Sequence, residues 1–248
     1  MYKIGFLGLG KMGSSILKGI LSKELYQKRE IAFFAPSVET KTKYQEFGIN
    51  LVKDEKELFK LSNIVIMAIK PQQYDLVLGK IKDLDFNDKI IISLAPGKTI
   101  SYLSKNMKGA EIVRVMPNTP ALVGKGMTTI AFQNEEISIV MDIFSSIGKY
   151  VIVKEKQIDE AIPLNGSMPA YLFEFVKAFI EKGMEYGIPK EDAYILALNA
   201  IIGSCELALN SNDDIDTLIN NVCSKGGSTI EGLNVLRNNH VLEVISMN

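Results

Sequence analysis

The sequence predicts an α/β protein: an N-terminal, doubly wound, mostly parallel sheet followed by an all-α domain. Three observations carry that prediction. Short apolar, β-branched runs alternate with amphipathic helical stretches over residues 1–154. A glycine-rich step, Gly8-x-Gly10-x-x-Gly13, follows the first run directly and opens a helix. From about Ile158 the periodicity becomes helical, with no convincing strand. Strand–helix alternation at this spacing builds parallel sheets covered on both faces.

The elements follow in order. Strands are predicted at 3–8 (KIGFLG), 31–35 (IAFFA), 63–69 (NIVIMAI), 89–94 (KIIISL), 112–116 (IVRVM), 127–132 (MTTIAF) and 150–154 (YVIVK). Continuous apolar runs, rather than alternating ones, suit strands buried on both faces. Ser14–Leu25, Thr40–Phe47 and Ile137–Ile147 are helical in pattern. Segments 170–186, 190–210, 213–222 and 228–245 continue as helices, and Gly187-Ile188-Pro189 separates the first two. The stretch NSNDDID supplies cap-type residues before the third. The predicted division falls near residue 155, with a dinucleotide-binding domain over 1–155 and a helical substrate and dimerisation domain over 156–248.

Composition narrows the function. With 28 basic and 29 acidic residues the formal net charge is −1, which gives no electrostatic case for nucleic acid or an anionic membrane. No apolar run reaches the ~18 residues that span a bilayer. The opening MYKIGFLGLGKMG is strand-like, so no signal peptide is expected. Cys205 and Cys223 form neither a CxxC pair nor a metal cluster. No metal site and a reducing, cytoplasmic compartment are expected. Cys205, within AIIGSCELAL, is expected to be a buried small hydrophobe. His240, the sole histidine, is expected to be structural or exposed.

The glycine step has a physical rationale in each residue. Gly8 permits a tight turn, Gly10 lets backbone approach a pyrophosphate, and Gly13 lets helix and strand pack closely. The free N–H groups of the helix that follows then face phosphate. The alternative is a tight strand-to-helix turn with no ligand. An NAD site places an acid at the end of the second strand, where it holds the ribose 2′-hydroxyl. Here that strand ends Ala35-Pro36-Ser37, Glu30 lies at its other end, and Lys41 and Lys43 follow. Small residues beside lysines suit a 2′-phosphate, so NADPH is expected, with NADH as the other possibility; the competing account is that these lysines only solvate a helix face.

Late in the chain, VCSKGGSTIEGL (222–233) places a Gly-Gly step and two hydroxyls before an apolar-periodic helix. Unobstructed N–H groups at a helix start suit a small carboxylate. An ordinary Ser or Thr cap is the competing account.

Four stretches together, GLGKMG, IMAIKPQ (66–72), VRVMPNTPALVGKGMT (113–128) and SKGGSTIEGL (224–233), resemble the pyrroline-5-carboxylate reductase family. They occur in the family's order over essentially the whole chain. The resemblance implies hydride transfer from NAD(P)H to a cyclic imine to give proline. It implies a cofactor lined by Leu7, Gly8, Leu9, Gly10, Lys11 and Met12, by Ala35 and Ser37, and by Ala68, Ile69, Lys70 and Pro71. Leu94, Ala95, Pro96 and Asn118 complete that lining, Asn118 within reach of the carboxamide and Lys70 contributing backbone rather than charge. It further implies that Ser224, Gly226, Gly227, Ser228 and Thr229 cradle the substrate, with Thr229 orienting or protonating the imine. Family members close this site between two protomers, and the apolar helices over 170–186 and 190–210 support a homodimer, or a higher oligomer built from dimers, here too.

The chain departs from the family pattern in places. Asn165-Gly166-Ser167-Met168-Pro169-Ala170-Tyr171 stands where Ser-Gly-Ser-Gly-Pro-Ala-Tyr is usual, which puts bulk at Met168. Lys225 replaces a proline, and Glu55 stands where an asparagine often meets the nucleotide, favouring NADH slightly. The end, VLEVISMN, falls roughly half a helix short. These changes motivate a second account, a catalytically weak accessory protein that binds nucleotide and a protein partner. A third, a β-hydroxyacid dehydrogenase, shares the opening IGFLGLGKMG. It lacks its lysine base, since NGSMPAYLFEF offers none before Lys177.

Overall fold

The computed structural model describes residues 1–241. The chain divides into two compact units, Met1–Pro169 and a second beginning at Ala170. In the first, one sheet is formed by β1 (Tyr2–Leu7), β2 (Ile31–Phe34), β3 (Asn50–Leu51), β4 (Ser62–Met67), β5 (Ile90–Ser93), β6 (Glu111–Pro117), β7 (Gly126–Phe132) and β8 (Gly148–Ile152). Its spatial order is β3-β2-β1-β4-β5-β6-β7-β8. The β6–β7 pair is antiparallel and every other neighbouring pair is parallel. The order reverses between β1 and β4. Open α/β sheets hold their ligands at such a switch point, outside the carboxyl ends of the strands.

The sheet is buried on both faces, as its unbroken apolar runs predict. One face packs Ile4, Phe6 and Ile66 against Ile16 and Ile20 of α1 (Lys11–Ser22) and Ile143 of α6 (Ser138–Ser145). The other packs Val65, Met67 and Ile91 against Phe59 of α3 (Glu55–Leu61), Val77 of α4 (Tyr74–Ile81) and Leu103 of α5 (Ile100–Asn106). Each such fully buried side chain contributes roughly 1.5–3 kcal/mol. Helix α2 (Val38–Glu46) follows β2, and α7 (Glu155–Glu160) follows β8. The seven predicted strands are all present. Strand β3 was not predicted, because two residues carry no periodicity. The Asn50 side chain anchors it by donating from Nδ2 to the Ile31 carbonyl at 2.8 Å.

The second unit is helical, with α8 (Met168–Glu185) opening just before it, then α9 (Lys190–Asn210), α10 (Ile215–Val222) and α11 (Ser228–Asn238). Gly187 ends the α8 turn at φ +80°, and Ile188 N–H closes it onto the Gly183 carbonyl at 3.0 Å. A Cβ on Gly183 would lie 3.1 Å from that of Ala193, so α8 and α9 pack closely. Asp214 caps α10 by accepting from Thr217 N–H at 2.7 Å. Helix α11 stops at Asn238, before a left-handed His240 at φ +55°. Residues 242–245 of the expected last helix lie outside the described residues.

Two expectations need correction here. Helix α9 is long and apolar enough, by length and composition, to cross a membrane. Its run is interrupted in sequence by Asn199, Ser204, Glu206 and Asn210. The Asn199, Ser204 and Asn210 side chains donate to the carbonyls four residues back, at 2.7–2.8 Å, whereas Glu206 keeps a carboxylate in the run. Cys205, expected to be buried, is exposed on that helix. The cause is the same: α9 is apolar around much of its girth, and Ala193 is its only residue buried within the chain.

Candidate active site

The predicted cofactor residues gather at the carboxyl ends of neighbouring strands. Gly8 N–H donates to the Phe34 carbonyl at 2.8 Å, Ala68 N–H to Leu7 at 2.9 Å, and Leu94 N–H to Met67 at 3.4 Å. These bonds join the ends of β2, β1, β4 and β5 into one edge. Gly8 has φ +90°, and a Cβ there would meet the Ala68 carbonyl oxygen at 2.8 Å. A Cβ on Gly13 would lie 2.5 Å from the Gly8 carbonyl oxygen, whereas one on Gly10 would meet nothing within 4 Å. The three glycines therefore differ in kind: two are demanded by packing within the chain, and the third faces open space. That is the arrangement a pyrophosphate needs.

Helix α1 begins at Lys11, three residues earlier than predicted, with Gly10 as an N-cap that makes no side-chain bond. Its first-turn N–H groups thus lie at the loop itself. Leu7 and Leu9 are buried, so the loop offers backbone there; Lys11 is exposed and Met12 half-buried. At the end of β2, Ala35 is buried and Ser37 is the N-cap of α2, its Oγ accepting from Thr40 N–H at 3.3 Å. The Lys41 ammonium lies 5.3 Å from the centre of the Phe34 ring, so a cation stands at this strand end. Glu30, at the opposite end, is taken up by the Gln27 N–H at 2.9 Å. Glu55 is paired with Lys80 at 2.7 Å, which offsets its charge.

Past β4, Ala68, Ile69 and Pro71 are half-buried while Lys70 is exposed. Lys70 N–H donates to Gln73 Oε1 at 3.2 Å. Behind this edge Tyr74 Oη donates to the Met67 carbonyl at 3.1 Å and lies 3.0 Å from Ser93 Oγ. Burial pushes its phenol well above the ordinary tyrosine range. Past β5, Ala95 is buried and Pro96 exposed. The loop then runs to Lys98, which lies 3.4 Å from Asp75, a carboxylate that also accepts from Tyr102 Oη. That hydroxyl, with Lys98 behind it, holds the Asp75 carboxyl below its usual range.

Asn118 is used structurally. Its Oδ1 accepts from Met127 N–H at 2.8 Å and its Nδ2 donates to the Asn165 carbonyl at 3.3 Å. One Nδ2 hydrogen is left for a carboxamide. Asn165 donates in turn to the Met116 carbonyl at 2.8 Å. The segment that departs from the family pattern is thereby tied to the end of β6. Met168 is the first residue of α8 and its side chain is exposed.

In the helical unit the late turn has the geometry of an open helix start. Gly226 has φ +72°, Gly227 N–H donates to the Ser224 carbonyl at 3.0 Å, and Gly227 is the N-cap of α11 with no side-chain cap bond. Ser228 and Thr229 are the first two helical residues, so neither hydroxyl is the cap. Ser224, Lys225, Gly226, Ser228 and Thr229 are exposed. The ordinary capping account therefore does not apply to these hydroxyls.

Sequence reasoning missed one cluster. Arg114, buried in the middle of β6, pairs with Asp159 at 3.0 Å and Glu155 at 3.3 Å. A lone arginine in the apolar run IVRVM was the visible signal. Its partners lie more than forty residues away and no spacing marks them.

Comparison with known proteins bears on the family and the fold. A family model described as pyrroline-5-carboxylate reductase dimerisation matches residues 155–247, and one described as NADP oxidoreductase coenzyme F420-dependent matches residues 3–97. The pyrroline-5-carboxylate reductase of Escherichia coli K12 is 33% identical, over 94% of this chain and 89% of that protein. The Arabidopsis thaliana enzyme of the same name is 31% identical over 95% and 87%. The crystal structure of Plasmodium falciparum pyrroline carboxylate reductase with NADP bound superposes at a TM-score of 0.88, with 32% identity, covering 99% of this chain and 93% of that one. The Coxiella burnetii pyrroline-5-carboxylate reductase superposes at 0.87 with 29% identity, covering 99% and 94%. By whole-length identity and fold together, this chain belongs to the pyrroline-5-carboxylate reductase family.

Proposed function

We infer that the protein is an NADPH-dependent pyrroline-5-carboxylate reductase. It reduces the C=N bond of the cyclic imine and releases proline. The observation that carries this is full-length kinship: named reductases at 31–33% identity over 94–95% of the chain, with the phosphate loop and the late diglycine turn both intact. When bound, the dinucleotide supplies the hydride that reaches the imine carbon.

The residues then divide the work. Gly8 to Met12, with the first turn of α1, hold the pyrophosphate. Ala35 and Ser37 leave room for a 2′-phosphate, whose charge the Lys41 ammonium favours. Ala68 to Pro71 and Leu94 to Pro96 line the cofactor with backbone, and Asn118 offers its remaining Nδ2 hydrogen to the carboxamide. Gly226, Gly227 and Ser228, with Ser224, present N–H and O–H donors to the substrate carboxylate. Thr229 places its hydroxyl at the ring nitrogen and keeps that nitrogen protonated, so that it takes up the C=N electron pair as the hydride adds to the imine carbon. Positioning supplies most of the rate, so no strongly basic side chain is needed.

The chain works as a homodimer. Phe179, Leu196 and Leu207 are each more than half exposed on α8 and α9, and such a surface is covered by a second copy in a family whose helical part is described by its dimerisation. Both cysteines are free thiols, as suits the reducing cytoplasm. The test is direct: purified protein with pyrroline-5-carboxylate and NADPH, followed by loss of the reduced cofactor. Robust turnover supports an enzyme; binding of NADP⁺ without turnover supports the accessory protein.

A further inference from the structure

The geometry points to Arg114 as a positioning residue: through Glu155 and Asp159 it clamps the turn after β5 whose first residues, Leu94 to Pro96, line the cofactor. The proposal rests on that cofactor assignment. Arg114 is 2% exposed, on a strand whose neighbouring residues are also buried. Its Nη2 donates to both Asp159 oxygens at 3.0 Å and its Nη1 to Glu155 Oε1 at 3.3 Å. The same carboxylates serve the loop. Asp159 Oδ1 also accepts from Gly97 N–H at 3.2 Å, and Glu155 Oε1 accepts from Ile100 N–H at 2.5 Å. Two backbone N–H groups of one turn thus hang from two carboxylates whose position a buried guanidinium sets.

Chemistry explains why arginine does this. Its planar fork holds two carboxylates in one plane, which a lysine point charge does not. Each carboxylate oxygen retains a lone pair for an N–H. Gly97 has φ +71°, so the turn itself is backbone-permissive and takes its place from these bonds. A cofactor lining made of backbone needs this outside support, because its own side chains make no polar contact with the ligand.

The test compares three variants by NADP⁺ titration, amide hydrogen exchange and thermal melting. Asp159→Ala removes an anchor. Ile100→Pro removes one N–H at the first helical position of α5, where proline fits the backbone and the preceding Thr99, at ψ 157°, tolerates it. Ile158→Ala opens the core contact of α7, the helix that carries Asp159, without touching the loop bonds. Asp159→Ala is expected to raise the NADP⁺ Kd roughly tenfold and to speed exchange over residues 95–100. Ile100→Pro is expected to raise the Kd with little change in melting temperature. Ile158→Ala is expected to lower the melting temperature and leave the Kd within about twofold. Equal weakening by Ile158→Ala and Asp159→Ala would overturn the clamp, as would unchanged exchange in Asp159→Ala. A wild-type protein that fails to bind NADP⁺ overturns the cofactor assignment itself, while the exchange data still report whether Asp159 holds the turn.

Discussion

Gly13 of α1 rests against the backbone of Gly8, so closely that a Cβ on Gly13 would stand 2.5 Å from the Gly8 carbonyl oxygen. Gly10, between them in sequence, has open space in the same place. Gly13→Ala must displace backbone and is expected to cost about 1–3 kcal/mol of stability. Gly10→Ala keeps an allowed conformation, φ −69° and ψ −166°. Its expected stability cost is below about 1 kcal/mol, with NADP⁺ affinity falling roughly tenfold. Chemical denaturation and cofactor titration of the two variants separate a packing glycine from a ligand-approach glycine.

Cofactor choice has an equally local test. Ser37 caps α2, and aspartate is as good an N-cap as serine. Ser37→Asp therefore preserves the helix while placing a carboxylate where a 2′-phosphate would lie. The ratio of kcat/KM for NADPH over NADH is expected to fall at least about tenfold, through repulsion of the phosphate and a new bond to the ribose hydroxyl. An unchanged ratio would move the 2′-phosphate site elsewhere.

The buried phenol of Tyr74 gives a pH dependence. An acid whose folded pKa is raised loses its proton first from the unfolded chain. Its contribution to stability is intact below the unfolded tyrosine value near 10 and is lost as pH rises beyond it. Tyr74→Phe removes the bonds to Met67 and Ser93 and is expected to cost about 1–2 kcal/mol at neutral pH. The gap to wild type then narrows above roughly pH 10, because the variant has no phenol to ionise there. Urea melts at neutral and alkaline pH measure both effects.

Assembly is tested on α8. Phe179 is 62% exposed within one chain. If a second copy covers it, Phe179→Glu buries an unpaired charge, at a cost of several kcal/mol per site. The wild type is expected to sediment as a dimer or larger at micromolar concentration and the variant as a monomer. A monomeric wild type contradicts the dimer.

What the sequence revealed follows from the range over which each signal acts. The apolar runs at 3–8 and 63–69 marked strands because burial on both faces leaves no polar position inside them. Gly8, Gly10 and Gly13 marked the phosphate loop because backbone constraint fixes residue type at each. The orientation of β7 was not legible, since a buried run looks the same in either direction. Nor was the ion pair of Arg114 and Asp159, whose partners come together only once the sheet forms. Cys205 was misjudged for a different reason. Apolar periodicity predicts what is suited to being covered, and within this chain α9 buries only Ala193.

If the diglycine start of α11 holds the substrate, with Thr229 at the imine nitrogen, turnover depends on that one hydroxyl. Thr229→Val keeps the size of an exposed side chain and deletes only its hydroxyl. The most direct measurement is kcat/KM for pyrroline-5-carboxylate with NADPH, in wild type and Thr229→Val side by side. Ready turnover is expected in the wild type, with a fall on the order of a hundredfold in the variant and an unchanged Kd for NADP⁺. Equal turnover in the two proteins would contradict that role of Thr229.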